Sequence, residues 1–281
     1  MESSHPSIEK AIEYIEENLN EALDLTEIAK VASYSQFHFS RIFKQATGEN
    51  VNNMIKRLRL AQSTRELMYQ KSSITEVGLN VGYETPSSFN KVFKQVFNMS
   101  PSEYKKKTEE NLKNYLLELQ TEPEIIYIEK EIYMYFDRSL GEYNDAAISA
   151  WGKLIKYSEL DENNIKFSKK RYFGLCYDNP KITEYEKMRY EACISMQIDE
   201  SKLLNPKQIK ILPKGRYAVL KFIGDYYDLY EVWFHFYGWI FNKKLQLDNF
   251  PPIEEYLDSP IDVLNGKVVN YTTNLMLKLD K

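Results

Sequence analysis

The run from Thr26-Glu27-Ile28-Ala29 to Phe43-Lys44-Gln45 returns about fifty residues later as Thr75-Glu76-Val77-Gly78 to Phe93-Lys94-Gln95. Tyr34 matches Tyr83 at a spacing of 49, whereas Phe39, Arg41, Ile42 and Phe43 match Phe89, Lys91, Val92 and Phe93 at a spacing of 50. One residue is therefore added between two conserved pieces of the unit. A repeated unit of this length implies two copies of one small body, each with an equivalent exposed surface.

The chemistry of the repeat makes that body helical. Asp24-Leu25-Thr26-Glu27 and Ser73-Ile74-Thr75-Glu76 have the form of capping boxes, in which an acceptor side chain and a Glu three residues on satisfy the orphan amides of a helix start. Ser35 takes the cap position of the next helix in copy one. Its partner Thr85 is followed by Pro86, which is favoured at the first helical position because its missing N–H would be unpaired there. Helix, turn and helix, twice over, predict a double helix-turn-helix domain.

On the second helix of each copy, 3.6-residue periodicity assigns Phe39, Ile42, Phe43 and Ala46, and Phe89, Val92, Phe93 and Val96, to the core. The other face then carries Gln36, Phe37, Ser40, Arg41, Lys44 and Gln45 in copy one, and Pro86, Ser87, Asn90, Lys91, Lys94 and Gln95 in copy two. Neither face holds a carboxylate, although an ordinary solvated face mixes acids with bases. Arg and Lys reach guanine edges or phosphates, Asn and Gln pair with adenine, and an aromatic lies against a thymine methyl, so these faces suit the major groove of double-stranded DNA. Between the copies, Val51 to Tyr69 lacks Pro and Gly and reads as one helix. At ~1.5 Å per residue it spans about 28 Å, compatible with the ~34 Å between successive major grooves on one side of DNA.

At these residues a family resemblance appears. Residues 8 to 107 resemble the AraC/XylS family of bacterial transcription regulators, most closely in Tyr83-Glu84-Thr85-Pro86-Ser87-Ser88-Phe89, Phe93-Lys94 and Phe97-Asn98-Met99-Ser100-Pro101-Ser102-Glu103-Tyr104. Ser33 stands where that family usually has a turn Gly, and Gly78 where it has a small helical Ala. Gly78 is expected to loosen its helix by up to ~1 kcal/mol relative to Ala. The resemblance implies double-stranded DNA and RNA polymerase as partners.

The formal net charge of −4 is unevenly spread: −6 over residues 1 to 24, +7 over 25 to 107 and −5 over 108 to 281. Positive charge is confined to the repeat, where phosphate neutralisation needs it. No apolar run approaches a membrane span, and Met1-Glu2-Ser3-Ser4 lacks the basic and apolar regions of a signal peptide, so the expected compartment is the cytoplasm, with no membrane partner. Cys176 and Cys193 have no Cys or His neighbour at metal-ligand spacing, and read as small core residues; no metal or cofactor is expected.

The expected domains are 1–107 for DNA binding, a linker over 108–123 within a charged helical stretch from Lys105 to Gln120, and a second domain over 124–281. This second part holds a fainter duplication, in which Arg138-Ser139-Leu140-Gly141-Glu142-Tyr143-Asn144-Asp145 recurs 83 residues on as Lys221-Phe222-Ile223-Gly224-Asp225-Tyr226-Tyr227-Asp228. Strand-like runs are Ile125 to Arg138, Tyr172 to Tyr177, Arg189 to Ile198, Arg216 to Ile223 and Val268 to Leu279. Helices run from about Asp145 to Tyr157 and from about Asp228 to Asn242. The fold class is thus an all-α double helix-turn-helix domain followed by an α+β domain with antiparallel sheet.

Of the 39 aromatic residues, 27 fall in this second part, and the helix around Tyr230, Trp233, Phe234, Phe236, Tyr237, Trp239 and Phe241 is aromatic on nearly every side. Either the helix is sandwiched between neighbours or some rings line a ligand cavity. Glu231 and His235, one turn apart on it, could pair. Asp178-Asn179-Pro180, Arg189-Tyr190-Glu191-Ala192-Cys193, Gly215-Arg216-Tyr217-Ala218, Gly224-Asp225-Tyr226, Trp239 and Ile253-Glu254-Glu255-Tyr256-Leu257 resemble, in that order, the segments of GyrI-like effector-binding domains. The resemblance implies a hydrophobic ligand pocket with Glu254 as its acid, and Trp239, Tyr226, Trp151, Tyr177, Phe222 and Tyr256 as candidate walls for a small hydrophobic or cationic effector. The alternative for Glu254 is a solvated loop acid beside Pro251-Pro252.

The domain order resembles right-origin-binding-type regulators, which implies a ligand-responsive transcription activator and not an enzyme. Two alternatives stay open: a second half that binds a protein partner, and a hydrolase in which Glu254 is a general base.

Overall fold

The computed structural model of the chain describes residues 6–69, 72–114, 121–160, 170–180, 183–196, 208–260, 262 and 270–280. The Met1–Ser4 segment, the end of the charged helix over 115–120 and the outer ends of two expected strands at 197–198 and 268–269 lie outside these residues. Met1–Thr108 form the body of one compact unit; Glu109–Pro180 and Glu184–Lys281 form the other.

The first unit is all helical: α1 Pro6–Glu17, α2 Leu25–Val31, α3 Gln36–Thr47, α4 Val51–Tyr69, α5 Ile74–Asn80, α6 Pro86–Phe97 and α7 Pro101–Asn114. The α2–α3 pair is copy one of the repeat and α5–α6 is copy two. Four residues separate the first pair and five the second, which is where the added residue went. Ser73 and Glu76 form a reciprocal capping box, while the Asp24 carboxylate accepts from the amides of both Thr26 and Glu27. Thr85 caps α6 through the Ser88 amide; Ser35 holds the cap position of α3 without a side-chain cap bond.

Each copy has its own core, and α4 serves both. Its Val51, Met54, Ile55 and Leu58 pack with Phe39 and Phe43 of copy one, and its Leu60 and Leu67 with Phe89 and Phe93 of copy two. Ala46 and Val96, expected on the core stripes, are exposed instead. In copy two it is Phe97, one residue on, that packs against Phe93 and Tyr104 in place of Val96.

The turns differ in how they manage a left-handed residue. Ser33 takes φ 61° in copy one and Gly82 takes φ 88° in copy two. A Cβ on Gly82 would stand 2.3 Å from the Leu19 carbonyl oxygen and 2.7 Å from Arg59 Nη2, so copy two has no room for the residue that copy one tolerates. Gly78 also has a packing role: a Cβ there would come within 2.9 Å of the Phe89 ring, so an Ala at this position would need that ring to shift. Helix α7 starts in a further capping arrangement of Ser100 and Glu103 and runs through residue 107, so the expected linker begins inside a helix.

Among the described residues, the second unit is one eight-stranded antiparallel sheet with two α-helices. Its elements are β1 Glu124–Ile128, β2 Ile132–Leu140, α8 Tyr143–Leu160, β3 Tyr172–Cys176, β4 Arg189–Ser195, β5 Ile209–Leu212, β6 Gly215–Gly224, α9 Leu229–Asn242, β7 Ile253–Tyr256 and β8 Tyr271–Lys278. The strand order is β1-β6-β8-β7-β3-β4-β2-β5. It reads as two equivalent halves joined at the β7–β3 pair: β2-α8-β3-β4 is one copy of the faint duplication and β6-α9-β7-β8 the other.

The single run expected over Ile125 to Arg138 breaks at residues 129–131. Its first part pairs with β6 at one sheet edge and its second with β4 and β5 at the other. Two four-residue strands, β5 and β7, were not anticipated. The sheet is curled, and one face forms a core to which all eight strands contribute, including Met134, Phe173, Cys193, Leu212, Tyr217, Ile253 and Met276. On the other face α8 packs on β2 and β4 and α9 on β6, which leaves the central β3 and β7 between them.

Candidate DNA-reading surface and buried-acid site

The cores of α3 and α6 leave the predicted DNA residues outward. Gln36, Phe37, Arg41, Lys44 and Gln45 are exposed and Ser40 is half-buried; Ser87, Asn90, Lys91 and Lys94 are exposed and Pro86 is half-buried. Phe37 is 85% exposed, which is costly for a ring that has nothing to cover it. Ser40 and Asn90 are turned back onto their own helices, Ser40 Oγ donating to the Gln36 carbonyl at 2.9 Å and Asn90 Nδ2 to the Pro86 carbonyl at 2.8 Å. The exposed cations of the two faces are Arg41, Lys44, Lys91 and Lys94, and Arg41 Nη2 lies 3.5 Å from His38 Nδ1 on its own helix.

In the second unit, the β7–β3 register sets Glu254 opposite Gly174 and Tyr256 opposite Tyr172. Alternation along β7 places Glu254 and Tyr256 on the helix-covered face. Glu254 is 7% exposed and lies on a strand, so it is not the solvated loop acid that the adjacent Pro251-Pro252 suggested. Its Oε1 accepts from Trp233 Nε1 at 3.1 Å, and its Oε2 from the Tyr256 hydroxyl at 2.5 Å. The Cys176 thiol lies 4.0 Å from Oε1. Tyr256 and Tyr190 share a hydroxyl contact of 2.8 Å, and Trp151 Nε1 donates to the Tyr190 hydroxyl at 3.1 Å.

Gly174 makes this geometry possible. A Cβ there would sit 2.4 Å from the Tyr190 hydroxyl and 2.6 Å from that of Tyr256. Around the acid, Trp151 packs edge-on against Tyr172 and Tyr256, and Tyr226 edge-on against Tyr256 while stacking on Tyr271 at 4.3 Å. Glu254 has no ion-pair partner among the described residues. Burial pushes its carboxyl above the usual range, and the bonds from Tyr256 and Trp233 pull it part of the way back. Burial likewise raises Tyr190, Tyr256 and Tyr226 and the Cys176 thiol, with the charge of Glu254 adding to each.

Of the residues the sequence suggested, Trp151, Tyr226 and Tyr256 join Glu254 in one cluster. Phe222 is on the same face, in the cross-strand row Phe222–Thr273–Tyr256–Tyr172, two strands from Tyr256. Trp239 is elsewhere: its Nε1 donates to Glu122 and its ring lies beneath Lys243. At ~100° per residue, six residues put it on a different side of α9 from Trp233.

Tyr177 also belongs to another site. It donates to Glu191 at 2.7 Å, within a network that includes Arg138, Lys210 and the Arg189–Asp178 pair. Tyr190, Trp233, Tyr172, Tyr271 and Cys176 were missed as site residues. Tyr190 and Trp233 stood inside segments already singled out, but only the strand register and the helix phase show which of their neighbours face Glu254.

Among the described residues no group of His, Cys, Asp and Glu could hold a metal ion, and no helix is long and apolar enough to cross a membrane.

Residues 28–107 match the family described as a helix-turn-helix domain, and residues 121–279 match the GyrI-like small molecule binding domain. The chain belongs to the GyrI-like family and carries an AraC-type helix-turn-helix domain ahead of that portion. It is an AraC-type DNA-binding transcription regulator with a small-molecule binding domain.

The chain is similar to the uncharacterized HTH-type transcriptional regulator YbfP of Bacillus subtilis, 33% identical over 99 residues, 35% of this chain and 34% of that protein. Tn10 TetD of Escherichia coli is 33% identical over 35% of this chain and 72% of its own length, and regulatory protein SoxS of Salmonella typhimurium 29% identical over 35% and 92%. The match thus spans about a third of YbfP and about a third of this chain. Among solved structures, an AraC-type transcriptional regulator from Chromobacterium violaceum matches 36% of this chain and 91% of its own at 27% identity and a TM-score of 0.34. The EcmrR C-terminal domain matches 58% and 99% at 18% identity and a TM-score of 0.45.

Proposed function

We propose that this chain is a transcription activator that reads an asymmetric site across two major grooves as a single chain and responds to a small hydrophobic cation held in its second unit. The observation that carries the ligand reading is Glu254: a buried carboxylate, satisfied only by neutral donors and surrounded by rings. Burying a charge without a counter-ion is costly, and a cation entering the cluster would supply one. The aromatic faces add cation–π attraction of about 0.5 to 2 kcal/mol each. On the DNA side, α3 would offer Gln36, Phe37, Ser40, Arg41, Lys44 and Gln45, and α6 Pro86, Ser87, Asn90, Lys91 and Lys94. RNA polymerase is the partner an activator would engage.

Transcription from an operator selected out of random DNA tests the reading as a whole. With the full chain, a quaternary arylammonium is expected to change transcript yield, and Glu254→Gln to shift that response to about tenfold or more higher cation concentration while DNA binding persists. A wild-type chain indifferent to every cation tried would overturn the ligand half. Arg41→Ala and Lys91→Ala should each weaken operator binding by about 1 to 3 kcal/mol if they touch base edges; binding like wild type by both variants in a mobility shift would sink the assignment of the faces. A hydrolase reading competes only if incubation with hydrophobic electrophiles yields product.

A further inference from the structure

The hydrogen bonds that reach Glu254 run in one direction, and the donor at the far end of the chain is not in contact with the acid. Trp151 lies on α8, packed over β4, and its indole N–H can only donate. It donates to the Tyr190 hydroxyl, so that oxygen is an acceptor. The proton of Tyr190 then has the Tyr256 oxygen at 2.8 Å, and that of Tyr256 has Glu254 Oε2 at 2.5 Å. At the other oxygen, Trp233 is again a donor-only group. In this arrangement every proton has an acceptor and the carboxylate accepts at both oxygens.

Protonating Glu254 breaks the pattern. A proton on Oε1 would face the Trp233 N–H, a donor against a donor. A proton on Oε2 would turn Tyr256 back toward Tyr190, and Tyr190, already accepting from Trp151, would lose the acceptor for its own proton. We propose that Trp151 is a positioning residue for the ligand site: through Tyr190 and Tyr256 it polarises the chain toward Glu254, holds the acid as an acceptor-only carboxylate, and so sets the preference for a cation over a neutral ligand of the same shape.

The inference rests on the ligand reading above for its consequence, but not for the relay itself. The titratable groups facing Glu254 are Tyr256 on its own strand, Cys176 on β3, Tyr190 on β4 and Tyr226 before α9. All are acids raised by burial, and neutral when Glu254 ionises, so none supplies the missing positive charge. Directional hydrogen bonding is what is left to favour the anion, against a burial that opposes it.

The test is Trp151→Phe in the full chain, which keeps a ring beside Tyr172 and Tyr256 and removes the N–H, with Tyr190→Phe as a second variant that cuts the chain one link nearer. The first readout needs no ligand: the carboxyl titration of Glu254 by carbon-13 NMR, assigned by its loss in Glu254→Gln. Both variants should move the midpoint upward. The second compares the 4-biphenylyltrimethylammonium cation with its carbon isostere 4-tert-butylbiphenyl. In Trp151→Phe the cation should bind about three- to tenfold more weakly, the range of one net hydrogen bond, and the isostere as in wild type.

An unmoved midpoint in both folded variants overturns the relay, whatever the ligands do. A raised midpoint with equal losses for cation and isostere overturns the role in cation preference. If wild type itself fails to prefer the cation, the ligand reading falls, and the midpoints alone decide the relay.

Discussion

Glu254 and Glu191 are both deeply buried acids of the same curled sheet, and they are treated in opposite ways. Glu191, fully buried, faces the inner side and is met by two cations, Arg138 at 2.7 Å and Lys210 in close contact, and by the neutral Tyr177 hydroxyl at 2.7 Å. Burial pushes its carboxyl up, but Arg138 and Lys210 outweigh this and hold it below the usual range. Glu254, on the helix-covered side, has only neutral donors and stays raised. On the proposed reading, the difference separates an acid that completes the fold from one that meets a ligand. An acid whose charge is already matched completes the fold, whereas one left unmatched is stabilised further only by something that arrives.

The largest effect that would break this contrast is at Glu191. Glu191→Gln leaves Arg138 and Lys210 facing a neutral amide, and loss of one partner of a buried pair costs about 3 to 5 kcal/mol. Arg138 and Lys210 are about a quarter exposed, which places the expectation at the low end. Urea unfolding followed by Trp fluorescence reports this unit alone, since Trp151, Trp233 and Trp239 all lie in it. A variant within ~0.5 kcal/mol of wild type would mean the network is ornamental.

Next in size is Gly174→Ala, whose methyl would displace the Tyr190 and Tyr256 hydroxyls. Overpacking of this kind costs about 1 to 3 kcal/mol, and the cation preference should be lost with it. Retention of both stability and preference would show that the two hydroxyls do not organise the acid.

The pH dependences of the two acids should have opposite signs. Glu191 titrates below its unfolded value, so the stability it contributes is present above the ordinary Glu range and is lost as pH falls through the lowered value. Glu254 titrates above its unfolded value, so the folded chain binds the proton more tightly and stability falls as pH rises from the ordinary range through the raised one. Measured against wild type, Glu254→Gln should therefore gain relative stability with rising pH, and Glu191→Gln should lose it. Parallel curves would erase the contrast.

The sequence exposed the first unit more fully than the second, for physical reasons. Helix caps and 3.6-residue stripes are local, so α4 was bounded at Val51 and Tyr69 and the added turn residue was located from spacing alone. The exceptions were where tertiary contact decides: Ala46 and Val96 at the ends of their stripes, and Gly78 beneath the Phe89 ring. In the second unit the longer strands and both helices were legible, but β5 and β7 have four residues each and too little alternation to stand out.

Glu254 was singled out by family resemblance, not by pattern. Its partners come from α8, β4, the turn before α9 and α9 itself, and their convergence depends on a register that brings Gly174 opposite the acid. Tyr177 and Trp239 were misplaced for the same reason: proximity in sequence to a site segment says nothing about which face of the sheet or helix a ring occupies.

The most direct measurement is a fluorescence titration of the full chain, wild type and Glu254→Gln, with the 4-biphenylyltrimethylammonium cation and with 4-tert-butylbiphenyl. Trp233, whose indole N–H contacts the acid, is the nearest reporter. If the unmatched carboxylate is the ligand's counter-ion, the wild type prefers the cation, and Glu254→Gln weakens the cation about tenfold or more while leaving the isostere nearly unchanged. Equal affinities for the two ligands in wild type, or equal losses in the variant, would make Glu254 a structural residue like Glu191.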